Sequence, residues 1–299
     1  MSSASSSSTS APSPPPPPTT NTKSKVTLTG TEETLFVTLY GRYFDAVSPN
    51  PILGDRHAGP ILEKVDYDFA KLGVRKGTAS AIAIRSLLFD TWTVEFLSRN
   101  PSATVVHIAC GLDTRPHRLP WGSGVRWIDV DLPGVVELRR KLVPPPEEGN
   151  GKRDYTLLAG SAIDPDFIAT LPNDRPTAVI IEGLSLYLDP ADGEAMVANL
   201  CGRFPSGGVL MMDSVGWLAL SLQRTMSFVR NTSSTLRWAI DDPKALERLH
   251  PGRLDLMDAL PLCNVDTVAR LDRVGQVFMW ICSLLPATRN FIRYLRYNF

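Results

Sequence analysis

The sequence is poor in several features that would each point to a class of protein. Cysteine is scarce, with four in 299 residues. Cys110, Cys201, Cys263 and Cys282 lie far apart and form no Cys-x-x-Cys pair, so neither a disulfide framework nor a metal site is expected. They read as reduced thiols in or near a core. An excess of one charge is also missing: Lys plus Arg is 31 and Asp plus Glu is 31. Proteins that hold nucleic acid by its phosphates carry a basic surplus, so no nucleic-acid partner is expected. No apolar run reaches the roughly 18 residues of a membrane span, which argues against a membrane partner. The N-terminus shows no basic segment followed by an apolar one, and the expectation is a cytoplasmic protein without a secretory leader. Histidine is rare. His57, His107, His117 and His250 have no acid at a pairing distance in sequence and read as structural or solvent-facing. There is no internal repeat.

Ser, Thr and Pro dominate from Met1 to about Lys25, with a run from Pro14 to Pro18. Such a stretch buries no apolar area, and its proline run favours an extended helix without internal hydrogen bonds. It reads as a disordered tail over residues 1–25, with one domain over 26–299. With 43% apolar residues in the whole chain, a full core is affordable.

Residues 31–76 read as a cap of short helices and loops. Thr34 to Phe44 is helical and amphipathic, and Asn50-Pro51 and Pro60 interrupt it. A long helix follows from Thr78 to Ser98, carried by Ile82, Ile84, Leu87, Leu88 and Trp92 at helical spacing. Five strands come next, at residues 104–109, 125–130, 155–158, 178–181 and 208–212. Helical segments separate the later ones at 133–142, 165–171 and 190–204. Strands that are apolar throughout and alternate with helices predict a parallel sheet buried on both faces. After Asp213 the alternation lapses. Trp217 to Leu260 reads as a helical insertion over about 214–262, followed by strands at Val277–Ser283 and Phe291–Phe299. The fold class is therefore α/β, a doubly wound, mostly parallel, seven-stranded Rossmann-like sheet with helical lid insertions.

The chemistry centres on two strand ends. The first strand runs into Ala109-Cys110-Gly111-Leu112-Asp113-Thr114-Arg115. A glycine there lets the backbone approach a ligand closely. The second strand ends in Asp129-Val130-Asp131, and Asp131 lies 20 residues beyond Gly111. That spacing suits an acid that accepts both ribose hydroxyl hydrogens. The glycine pattern is not G-x-G-x-x-G. Asp113 beside Gly111 would oppose a pyrophosphate but not a nucleoside with a cationic sulfonium, which favours S-adenosylmethionine over NAD. An NAD-binding oxidoreductase ranks behind.

Four blocks make the reading specific: Ala83 to Asp90, Val106 to Arg115, Asp129 to Pro133, and Ile181 to Leu188. With them the chain, from about Thr31 to Phe299, resembles the leucine carboxyl methyltransferase family, in its polyketide carboxyl O-methyltransferase branch. The resemblance implies a methyltransferase whose cofactor is S-adenosyl-L-methionine. It assigns Arg85 to the cofactor's carboxylate, Gly111 to close approach, Asp131 to the ribose, Asp164 to the adenine amino group and Glu182 to the pocket lining. Two positions depart from the general pattern. Ala109 stands where a first glycine is common, which a negative φ would accommodate. His107 stands where an acid is common, and should point into the packing layer.

Plainer roles remain open beside these. Arg85 also reads as a surface arginine on an amphipathic helix. Asp131 and Asp164 each precede a helix that starts with proline, so each also reads as a helix cap. Tyr187, after the fourth strand, is a candidate for the substrate pocket. Trp217, Phe228 and Trp238 are candidates for its roof, with packed core as the alternative.

A carboxylate acceptor is already ionised at neutral pH and needs no base, whereas a phenol near pKa 10 does. No base stands out, so a carboxyl of a hydrophobic small molecule is the preferred acceptor. The alternatives are a protein C-terminal leucine carboxyl methyltransferase and a non-catalytic cofactor-binding regulator.

Overall fold

The computed structural model describes residues 24–25, 33–146, 154–232, 234–250 and 252–299. The first part of the chain contains β1 (Ser24–Lys25), α1 (Thr34–Ala46), α2 (Ala58–Glu63), β2 (Val65–Asp66) and the long helix α3 (Lys76–Arg99). The sheet region follows with β3 (Thr104–Ile108), α4 (Arg115–Arg118), β4 (Arg126–Asp131), α5 (Pro133–Leu142), β5 (Asp154–Ala159), α6 (Pro165–Thr170), β6 (Thr177–Ile181), α7 (Pro190–Arg203) and β7 (Gly208–Val215). Last come α8 (Trp217–Leu222), α9 (Ser227–Thr232), α10 (Lys244–Leu249), β8 (Asp255–Pro261), α11 (Arg273–Ser283), α12 (Pro286–Arg289) and β9 (Ile292–Asn298).

Local chemistry explains most boundaries. Helix α3 stops at Asn100 because Pro101 disfavours helical backbone in the residue before it. Helices α5, α6 and α7 each start on a proline, whose fixed φ suits the first turn. Strands β3 and β6 are buried at every residue.

The main sheet has the order β5-β4-β3-β6-β7-β9-β8. Neighbours are parallel from β5 through β7, and β9 runs antiparallel to both β7 and β8. The chain winds outward from β3 in both directions, so the carboxyl end of β3 is the switch point where such sheets bind ligands. One face packs on α6 and α7 through Ile168, Met196, Val197 and Leu200. The other packs on α3 through Ala83, Ile84, Leu88, Phe89 and Trp92. The cap, α1 and α2, joins Ala79 and Ile82 of α3 and Leu138 of α5 in its own cluster. Helices α1 and α3 touch closely: a Cβ on Gly41 would sit 2.5 Å from Ile82 Cδ1.

Four sequence expectations need correction. Ser24–Lys25 is not tail but a short strand paired in parallel with β2; residues 1–23 lie outside the described residues. The segment 277–283 is not a strand. It is the end of α11, whose apolar residues Val274, Val277, Phe278 and Ile281 recur at helical spacing and share one side. Val274, Phe278 and Met279 border a cavity, and the helix is open to solvent: Val274, Val277, Phe278, Trp280 and Ile281 are all more than half exposed. Conversely, 255–261 is strand β8, placed inside the expected helical insertion. Its alternation is broken by a bulge between Leu256 and Asp258 at the sheet edge. Finally, Ala109 has φ +51°, not a negative value. Among the described residues no helix is long and apolar enough to cross a membrane.

Candidate active site

Strand register builds the site. Val130, Ile108, Ile181 and Met212 lie side by side across β4, β3, β6 and β7. One residue further along each strand stand Asp131, Ala109, Glu182 and Asp213. Four neighbouring strands therefore present three acids in one row at the carboxyl edge, on the face toward α3.

The sequence-assigned residues fall into two linked groups. In the first, the Gly111 N–H donates to Asp131 Oδ2 at 2.7 Å and the Leu132 N–H donates to Oδ1 at 2.8 Å. Burial pushes the Asp131 carboxyl up, against those two N–H donors. Each oxygen holds one donor and keeps capacity for another. Gly111 has φ +49°, which glycine adopts without the penalty a side chain incurs. Ala109, two residues earlier, accepts the same left-handed backbone with its methyl group. The tight loop thus turns twice, and only the second turn uses glycine.

In the second group, Arg85 Nε donates to Glu182 Oε1 at 3.0 Å and Nη1 to Asp213 Oδ2 at 2.7 Å. Arg85 is not a surface residue, being 15% exposed along its side chain. Gly183 has φ +72°, which favours glycine, and packs against this guanidinium, which would lie at an ordinary contact distance of 3.5 Å from a Cβ there. The Gly183 N–H donates to Asp213 Oδ1 at 2.8 Å. Burial alone would raise Glu182, but Arg115 and Arg85 hold it down to about 2. Burial raises Asp213, with Arg85 opposing.

Arg115 and Arg139 join the two groups. Arg115 reaches Glu182 Oε2 and Asp90 Oδ1, each at 2.6 Å. Arg139 donates to the Gly111 carbonyl at 2.8 Å and to Asp129 Oδ2 at 2.6 Å. Asp113 accepts from Arg118 at 2.7 Å and from the Arg115 N–H at 2.6 Å. Its charge is spent on these arginines and it is buried, so it does not confront a ligand. Asp113 therefore does not discriminate against a pyrophosphate. His107 is buried in the packing layer as expected, with Nδ1 3.5 Å from Asp129 Oδ1 and Nε2 3.3 Å from Arg115 Nη1.

Asp164 stands apart. It caps α6, accepting from the Asp166 N–H at 2.9 Å, and its side chain is exposed. Tyr187 lies under the cap, hydrogen-bonded with Thr34 and Ser234, and burial pushes its hydroxyl up to about 12. It lines a cavity of about 1170 Å³ that also reaches Arg85, Gly183 and Asp213. Thr34, Val37 and Phe44 of α1 form one wall, Met226 and Leu236 another, and Val274, Phe278 and Met279 of α11 a third. Trp217 is exposed and lies away from this cavity, while Trp238 packs in the core against Gly193. The Phe228 side chain lies outside the described residues. No histidine or cysteine lines the cavity among the described residues, and no cluster there could hold a metal ion.

Sequence reasoning missed Asp213, Asp90, Arg115 and Arg118. Asp213 carried a usable signal. Like Glu182, it follows directly on a buried apolar strand segment.

Fold and site together are those of the S-adenosylmethionine-dependent methyltransferases. The row at the strand ends fits that cofactor. Gly111 leaves a bare backbone at the switch point, and Asp131 offers acceptor oxygens beside it. The pattern of the family described as "Leucine carboxyl methyltransferase" matches residues 38–201. The tetracenomycin polyketide synthesis O-methyltransferase TcmP of Streptomyces glaucescens is 35% identical over 92% of this chain and 98% of its own. The S-adenosyl-L-methionine-dependent methyltransferase dpfgK of Gibberella zeae is 35% identical over 76% of this chain and 81% of its own. A crystal structure of a DUF574 family protein from Streptomyces avermitilis shares the fold, with a TM-score of 0.58 at 14% identity over 88% of this chain and 96% of that one. The chain belongs to the leucine carboxyl methyltransferase family, and membership makes it a methyltransferase that uses S-adenosylmethionine.

Proposed function

We propose that the protein methylates a carboxylate oxygen of an apolar small molecule. The cavity carries this reading: it is large, mostly apolar, and continuous with Arg85, Gly183 and Asp213 at the strand ends. Similarity to the TcmP protein points to an acceptor of polyketide type.

When bound, S-adenosylmethionine supplies a methyl group activated by its sulfonium charge. The chain's own residues hold and orient. Asp131 accepts the ribose hydroxyl hydrogens and Gly111 permits close approach. Arg85 offers its remaining N–H groups to the amino-acid carboxylate, kept in place by Glu182 and Asp213. Glu182 lines the cofactor pocket and fixes the two arginines, Oε1 accepting from Arg85 and Ser86 and Oε2 from Arg115 with capacity for one more donor. Asp164 contacts adenine in this reading while keeping its capping bond. Tyr187 borders the acceptor. No side chain has to take a proton, because a carboxylate arrives ionised. The work is alignment and exclusion of water. An open polar groove, which a protein C-terminus would need, is not what lines this cavity. The protein-methylating alternative and a cofactor-binding regulator rank below for that reason and for the intact cavity. Cytoplasmic residence belongs to the same reading, in keeping with four free cysteines.

The test has two arms. Calorimetric titration with S-adenosylhomocysteine should show micromolar binding, with none for NAD. Radiolabelled methyl transfer into an aromatic acid panel should then give products that release methanol in alkali, as methyl esters do. Alkali-stable label would mean ether formation and would sink the carboxylate reading.

A further inference from the structure

Three cations line the acceptor cavity: Lys76, Arg85 and Arg270. Two are neutralised. Lys76 pairs with Asp272, and Arg85 pairs with Glu182 and Asp213. Arg270 has no described carboxylate within pairing distance. Its recorded hydrogen bond runs from Nη1 to the Ile52 carbonyl at 2.8 Å. The third acid on the wall, Asp45, forms no ion pair with it. Both Asp45 oxygens are taken by the N–H groups of Ile52, Leu53 and Gly54, at 2.8 to 2.9 Å. The Ile52 tie also anchors the guanidinium to the wall, so part of the cost of ordering a long side chain is met before any ligand arrives. Arg270 is solvent-exposed at the rim of the cavity, and a cation tied to the wall there without a counter-ion is a receptor for an anion that enters with its apolar body against the wall.

We propose that Arg270 is the specificity-determining residue of the acceptor cavity, binding an acidic group of an otherwise apolar acceptor. This rests on the methyltransferase reading above and deepens it. The acceptor is an anion before it is methylated, and the cavity distinguishes it from a neutral molecule of equal shape. One guanidinium nitrogen is committed to Ile52, and the remaining N–H groups are available. A carboxylate gripped through one oxygen keeps lone pairs on the other. The apolar body of the acceptor would lie along Val274, Phe278 and Met279.

A matched pair of dyes tests this without knowing the natural acceptor. 8-Anilino-1-naphthalenesulfonate and N-phenyl-1-naphthylamine differ by one sulfonate. In the full chain, Arg270→Gln should weaken binding of the sulfonate dye about tenfold, the loss expected for a charge-assisted hydrogen bond. The neutral dye should change less than twofold. Arg270→Lys should fall between Gln and wild type. Affinity for S-adenosylhomocysteine should not move in either variant. Unchanged sulfonate binding, or equal loss of both dyes, overturns the proposal. Failure of the wild-type chain to bind S-adenosylhomocysteine would instead overturn the methyltransferase reading, and the dye comparison would still stand.

Discussion

Asp131 was legible in the sequence because its signal is local: a strand end, an acid, and a glycine 20 residues before it. Arg85 became specific only through family resemblance, since its partners Glu182 and Asp213 lie 97 and 128 residues away. No spacing rule reaches that far. Asp213 was missed for the same reason, although it occupies the same position on β7 as Glu182 on β6. Asp113 shows the opposite error. Its place beside Gly111 suggests a role toward ligand, but its sequence neighbours Arg115 and Arg118, joined by the distant Arg42, claim its charge. Asp131 differs from these acids in having no ion pair, and its oxygens meet backbone N–H groups. Replacing it with alanine should therefore leave the core intact and cost about 1–3 kcal/mol of cofactor-site affinity, the range for hydrogen bonds to a charged group. Titration of Asp131→Ala with S-adenosylhomocysteine measures this. An affinity equal to wild type would place the ribose elsewhere.

Elements with one buried side and strong punctuation were read well from sequence. Helix α5 matches its expected bounds because Pro133 starts it and its apolar residues share one side. Helix α11 and strand β8 mislead in different ways. The second half of α11 is a short, nearly unbroken apolar run, which a strand and a helix segment share, and a bulged edge strand loses its alternation. Helix packing against the insertion turns on another residue. The Trp238 ring lies over α7 so closely that a Cβ on Gly193 would sit 2.2 Å from it. Alanine normally favours a helix over glycine by about 1 kcal/mol. Here overpacking outweighs that gain, and Gly193→Ala should destabilise by about 1–3 kcal/mol in denaturant unfolding. A more stable variant would mean that Trp238 moves aside freely.

The doubly wound architecture was legible from alternation alone, since strands buried on both faces leave little choice of layer. The charge economy of the whole molecule was not. Buried arginines and acids from α1, α3, α4, α5, β4, β7 and the end of β6 neutralise one another around the switch point, and this gives the protein a defined response to acid. His117 is held down to about 4 from 6.5, mainly by burial and then by His57. Its folded form resists the proton, so its contribution is complete above pH 6.5 and lost as pH falls toward 4. Glu182 and Asp129 are both held near 2 against burial, by arginines foremost. Their contribution is complete above their ordinary values of 4.5 and 3.8 and is lost as pH falls toward 2. The melting temperature should therefore be flat above pH 7, decline from about 6.5, and fall more steeply below 4.5. His117→Gln should remove the first decline and leave the second. A midpoint at pH 5 equal to that at pH 7.5 would contradict the assignment.

The position of β9 between β7 and β8 also matters to the order in which the protein comes into being. A growing chain makes β8 first and then has to extend through α11 and α12 before β9 exists to hold it. At roughly 5–20 residues per second, that interval lasts a few seconds. Throughout it β8 has no neighbour in the sheet. The nascent polypeptide is thus open at this sheet edge to chaperones, and to other unfinished chains, until β9 arrives.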